Sequence, residues 1–92
     1  MGHTPEKPKR LAQKLLQIRQ GLGLSQNGLI KHLGLTEQLS QGKISEFETG
    51  RREPSLLILL KYARAAGVVM DVLVDDELDL PERLPSKSRK RN

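Results

Sequence analysis

Three features of the sequence predict an all-α fold. Apolar residues recur at helical spacing, as in Leu11, Leu15, Ile18 and Leu22. Ser25, Ser40 and Ser55 each precede such a segment and Gly34, Gly50 and Gly67 each follow one, where N-caps and left-handed C-caps belong. No stretch alternates apolar and polar residues as a half-buried strand would. Ninety-two residues make one small domain with a modest core, and with one Phe, one Tyr and no Trp that core is aliphatic.

The elements follow in order. Residues 1–8 are polar and hold two prolines, which predicts a flexible arm. A first helix is expected over about Lys9 to Gln20, with Ala12 and Leu16 widening its apolar stripe and the run from Gly21 to Leu24 stopping it. Ser25 caps a second helix over Gln26–Leu33, with Leu29, Ile30 and Leu33 inward and Gly34 at its end. Ser40 and Gly50 bracket a third, whose inward face carries Ile44, Phe47 and Glu48 while Gln41, Lys43, Ser45 and Glu46 lie off it. Arg51 to Pro54 form a loop, since proline disfavours helix at the residue before it. Ser55 caps a fourth helix over about Leu56 to Ala66, apolar on most sides and so expected to be the most buried. Val68 to Val74 make a short fifth helix, weakly capped by Val69, with Val72 and Leu73 inward. The domain is expected to span 9–78, and residues 79–92 to be a disordered basic tail.

Charge is unevenly placed. The net charge is +5, but residues 71–80 alone carry −5 through Asp71, Asp75, Asp76, Glu77 and Asp79, and residues 81–92 return +4. A basic body favours polyanions, and the acidic block is expected to face away from them.

Several function classes are excluded on residue types. The absence of Cys removes disulfides, thiolate catalysis and cysteine zinc sites, and fits a reducing cytoplasm. His3 and His32 stand alone, so no metal and no cofactor are expected. There is no glycine-rich phosphate loop and no usable Ser/His/acid set, which argues against an enzyme. The two aromatic residues are too few to stack single-stranded bases. No apolar run approaches the roughly 20 residues of a membrane span, and residues 1–10 hold no apolar stretch of the signal-peptide kind, so none is expected.

One ordered set of residues carries a resemblance. It comprises Gly23-Leu24-Ser25-Gln26 before Leu29, then Leu33-Gly34, Ile44-Ser45, Glu48 and Gly50. Arg51-Arg52 and Pro54-Ser55 follow, and Leu59, Ala63 and Gly67-Val68 complete it. At this spacing the chain resembles the lambda-repressor-like helix-turn-helix family, the Cro and XRE type of bacterial and phage regulators, over about residues 9–74. The resemblance implies a five-helix domain that binds double-stranded DNA, often as a homodimer, with helix 2 across the backbone and helix 3 in the major groove.

By position, the resemblance implies that Gln26 meets a phosphate with help from the helix 2 amides, and that Arg51 and Arg52 meet others. It places Gln41, Gly42, Lys43 and Glu46 toward base edges, with Ser40 and Ser45 completing the DNA-facing set, and it pairs Arg19 with Glu48. The chemistry agrees: Gln41 suits adenine, Lys43 suits guanine, and Glu46 either accepts from cytosine N4 or repels phosphate in wrong registers. Gly42 reads nothing; it either allows close backbone approach or weakens the helix. Dimer contacts are expected at Val69, Met70 and Leu73, because the fifth helix commonly serves this role in the family.

Two departures stand out. Nine residues separate Gly34 from Ile44 where about five are usual, so either the turn is longer or helix 3 begins early, near Thr36. Ile30 occupies a position usually held by alanine, and Gly28 is expected to make room for it. The function expected is a cytoplasmic, nucleoid-associated repressor acting as a dimer on an inverted-repeat operator. The alternative is an antitoxin that binds a toxin, through the acidic segment, and represses its own operon.

Overall fold

Capping chemistry sets where the helices begin and end. The computed structural model describes residues 7–88, with side chains through residue 86. It forms α1 (Leu11–Leu22), α2 (Gln26–Leu33), α3 (Gln41–Thr49), α4 (Leu56–Ala66), α5 (Met70–Val74) and a single-turn α6 (Pro85–Ser88). The described residues contain no strand. The Oγ atoms of Ser25, Ser40 and Ser55 accept the amides of Gly28, Lys43 and Ile58 at 2.9, 3.3 and 3.3 Å. Each such cap is worth about 1 kcal/mol. The helix α1 outruns its expected end by two residues, because Gly21 stays helical and Gly23 takes the left-handed turn instead.

The core gathers Leu11, Leu15 and Ile18 of α1 with Leu29, Ile30 and Leu33 of α2, Ile44 and Phe47 of α3, and Leu59, Tyr62, Ala63 and Ala66 of α4. Helix α3 packs on both α1 and α2, while α4 packs on α1, α2, α5 and α6. Tyr62 is fully buried, and its hydroxyl has no hydrogen-bond partner among the described residues. Burial pushes that hydroxyl far above its ordinary pKa of 10.0, and the nearby Glu48 charge adds to the shift.

Five expectations are narrowed or corrected. Of the two alternatives for the connection to α3, the longer turn holds and the early start near Thr36 does not. Residues 35–39 form a separate turn, with the Gln38 and Leu39 amides bonded to the Leu35 carbonyl at 3.1 and 2.9 Å and both leucines buried. The longer connection is thus pinned by two apolar side chains one turn apart. Gly28 does not make room for Ile30; a Cβ there would meet Ser25 Oγ at 3.1 Å and Leu24, residues just ahead of its own helix. Nor is α4 the most buried helix. Leu56 and Leu57, in its first turn, are 73% and 72% exposed, because the part of α4 that packs on the core begins at Ile58.

The fourth correction concerns Leu73, which is wholly buried and therefore unavailable as a dimer contact. The fifth concerns the tail. Residues 79–86 are ordered against the domain: Leu84 is buried, and Ser86 Oγ donates to the Ala65 carbonyl at 2.6 Å. Leu84 lies over Gly21, and Ser86 lies against Gly67, where a Cβ would come within 2.8 Å of the Ser86 amide nitrogen. Two glycines on separate helices leave the space that this segment fills. The arm expected over residues 1–8 and the tail's last residues lie largely outside the described part of the chain.

The acidic segment is stitched to the start of α1. Asp76 accepts the Lys9 amide at 2.9 and 3.1 Å and the Arg10 amide at 3.0 Å, which supplies α1 with the anionic cap that Arg10 itself cannot provide. These bonds hold the Asp76 carboxyl below its ordinary pKa. Arg10 pairs with Asp79 and donates to the Asp76 carbonyl at 2.6 Å. Lys14 is 1% exposed, and its ammonium donates to the carbonyls of Val72, Asp75 and Leu78 at 2.7, 3.0 and 2.7 Å. Three donors meet three acceptors, closing off the C-terminal end of α5.

Candidate nucleic-acid interface

The short helix α3 buries Ile44 and Phe47 and leaves the rest of its surface to solvent or partial burial. Its orientation is fixed by polar contacts reaching back through α2 to α1. Arg19 forks onto Glu48, Nε to Oε2 at 2.6 Å and Nη2 to Oε1 at 3.1 Å, and its Nη1 donates to the Leu24 carbonyl at 3.0 Å. The Glu48 side chain is only 6% exposed, so this is a charge-assisted pair with little water around it. The hydrogen bond to Glu48 outweighs burial and holds the guanidinium above its ordinary pKa.

The same carboxylate is linked to the outer surface of α2 and α3 through two glutamines. Gln26 Nε2 donates to Glu48 Oε1 at 3.2 Å, and Gln41 Nε2 donates to Gln26 Oε1 at 3.1 Å. A carboxylate only accepts, so it fixes which way the Gln26 amide points, and Gln26 in turn fixes Gln41. Gln41, at the first position of α3, is exposed. The first residues of α2 and α3 are thereby joined side chain to side chain.

The other expected residues divide into three groups. Ser40 is committed to its cap, and its hydroxyl takes the Lys43 amide. Glu46 accepts from Arg52 Nε at 2.8 Å, so the two charges partly neutralise each other at an exposed position. Lys43, Ser45 and Arg51 offer side chains with no ion pair among the described residues; Arg51 and Gly42 are exposed, while Lys43 and Ser45 are half-buried. A Cβ at Gly42 would meet only Ser40 Oγ, at 3.8 Å, so packing within the chain does not require a glycine there.

Two contributors escaped sequence reasoning. Lys14 is of a residue type that is seldom buried, although its place between Leu11 and Ile18 puts it on the apolar stripe of α1, which was the available signal. Leu84 is a single leucine among prolines, serines and charges and gave none.

The arrangement defines a class: two helices joined by a tight polar contact, the second presenting an open polar face on an all-α support. Residues 10–76 match the helix-turn-helix domain family, within the lambda-repressor-like, XRE-type clan, and the chain belongs to that family. No curated protein and no solved structure matches it. Membership in a family of DNA-binding domains, typically non-enzymatic, points to DNA as the partner and to transcriptional regulation as the role. Among the described residues no helix is long and apolar enough to cross a membrane.

Proposed function

We propose that this protein is a sequence-specific regulator of double-stranded DNA, a repressor that covers an inverted-repeat operator as a dimer. The observation that carries the reading is the chain of bonds from Arg19 through Glu48 and Gln26 to Gln41, which orients a base-reading amide before DNA arrives. In this reading α3 enters the major groove, with Gln41 and Lys43 on base edges. Gln26 and Arg51 meet phosphates. Arg52 holds Glu46 back from the backbone and releases it only where a cytosine N4 is within reach.

Selection from a random duplex pool tests this, comparing wild type with the Gln41→Ala, Lys43→Ala double variant. The expected result is an inverted repeat for the wild type and a relaxed preference for the variant. A repeat that the variant recovers unchanged would remove both side chains from the reading set.

Dimerisation is assigned to Val69, 66% exposed, and to the half-buried Met70 beside it. Val69→Asp should remain folded and sediment as a monomer at concentrations where the wild type is a dimer. A second reading, the toxin-binding antitoxin, draws support from exposed Leu56 and Leu57, which a protein partner would cover. Its acidic segment is less open than the sequence suggests, since Asp76 and Asp79 are engaged by the start of α1. Capture of a co-encoded small protein with no enriched duplex would favour that reading.

A further inference from the structure

One cleft of about 230 Å³ lies beside the C-terminal end of α3, between residues 7–9 and the loop 50–54. Its apolar lining includes Leu11, Phe47 and Pro54, and Lys7, Lys9, Arg51 and Arg52 stand around it. Against these four cations the only acid among the lining residues is Glu53. Arg52 is paired with Glu46, but Lys7, Lys9 and Arg51 have no ion pair among the described residues. Three unpaired cations from two distant parts of the chain converge on one opening.

The convergence is built. The backbone at Lys9 and Arg10 is held by the two-amide grip of the Asp76 carboxylate, 67 and 66 residues away in sequence. Asp76 bonds to amide nitrogens and leaves the Lys9 ammonium without a carboxylate partner. Part of the acidic block therefore acts as an anchor that delivers two lysines to the edge of the α3 face.

We propose that Lys7 and Lys9 form, with Arg51, a second phosphate-binding site, which grips the DNA backbone beyond the bases that α3 reads. This rests on the DNA-binding reading above, but not on its operator, since phosphate contacts carry no sequence information. A cleft in which four cations face one carboxylate over apolar walls concentrates an anionic backbone. The cations there displace condensed counterions one phosphate at a time.

The test is the salt dependence of binding to a mixed-sequence duplex about three helical turns long. Wild type is compared with Lys7→Gln plus Lys9→Gln. A charge-matched control, Lys61→Gln plus Arg64→Gln, alters the exposed side of α4. Circular dichroism confirms that each is folded. Each lost phosphate contact lowers the slope of log K against log salt by about 0.9. The cleft variant is expected to lose about one to two in slope and roughly tenfold or more in affinity at low salt, with the control changing much less. Equal behaviour of the two variants, or no change in either, overturns the cleft as a site while leaving DNA binding intact. A wild type that binds no duplex at all overturns the proposal and the reading beneath it together.

Discussion

The two ends of α1 solve one problem by opposite means. Each extends a cation to a segment far along the chain: Lys14 to residues 72–78 and Arg19 to Glu48. Lys14 meets three neutral carbonyls, and burial lowers its pKa, with the neighbouring Arg10 charge adding to the effect. Arg19 meets a carboxylate, and its pKa is raised. A compact ammonium suits the ring of carbonyls at a helix end, whereas a planar fork suits a bidentate acid. The Lys14 end therefore works as a fastener for the C-terminal segment. The Arg19 end sets an orientation and transmits it to Gln26 and Gln41.

If that division is right, the largest stability loss lies at the fastener. Lys14→Met fills most of the same space but orphans three carbonyls, and should cost about 3 kcal/mol in urea unfolding, since an unsatisfied buried group costs roughly 1–3 kcal/mol. Binding per folded molecule should change little. A loss below roughly 1 kcal/mol would mean that water replaces the ammonium easily and the contact is not a fastener.

Arg19→Lys should be milder for stability and harsher for function. Losing the bidentate fork is expected to cost about 1–2 kcal/mol. With Glu48 free to shift, the two glutamines lose their fixed amide directions, so preference among base pairs should fall more than affinity for random duplex. Equal losses on specific and random DNA would break the comparison.

Gly42 sharpens it from the far end of the same chain of bonds. Gly42→Ala should stabilise the protein by about 0.5–1 kcal/mol, because the site has room for a Cβ and glycine is costly in a helix. If close approach of the backbone to DNA is the reason for the glycine, the same variant should bind more weakly. Stabilisation with unchanged binding would leave the glycine without a role in contact.

The smallest effect is confined to acid. The Asp76 carboxyl is held down by the Lys9 and Arg10 amides, and that of Asp79 by the Arg10 guanidinium. A carboxyl with a depressed folded-state pKa contributes stability above its ordinary value of 3.8, lost as pH falls through the folded value. Thermal midpoints from about pH 5 to pH 2 should therefore fall less steeply in Asp76→Asn than in wild type. Parallel profiles would show that the grip on residues 9 and 10 contributes nothing.

What the sequence could show followed the range of the interactions involved. Ser25, Ser40 and Ser55 with Gly34, Gly50 and Gly67 bounded α2, α3 and α4 to the residue, because a cap is decided by a few neighbouring atoms. Leu84 could not be placed, because its binding site is made by Gly21 and by helices some 20 and 60 residues away. Leu56 and Leu57 misled for the complementary reason: their apolarity promised burial, but among the described residues no element covers the first turn of α4. At the candidate interface, residue types suggested which side chains face outward. The bond from Gln26 to Gln41 depends on the relative placement of two helices, which no local pattern encodes.

The paired caps of α3 carry a consequence for how such a protein changes over generations. Ser40 begins the helix and Gly50 ends it, and neither boundary depends on residues 41, 42, 43, 45 or 46 for a side-chain bond, apart from the amide that Lys43 lends from its backbone. Substitutions at those five positions leave the start, the stop and the inward Ile44 and Phe47 in place. In the proposed reading, recognition drifts one side chain at a time, as lettering is changed on a fixed plate, without each new specificity having to rediscover the fold.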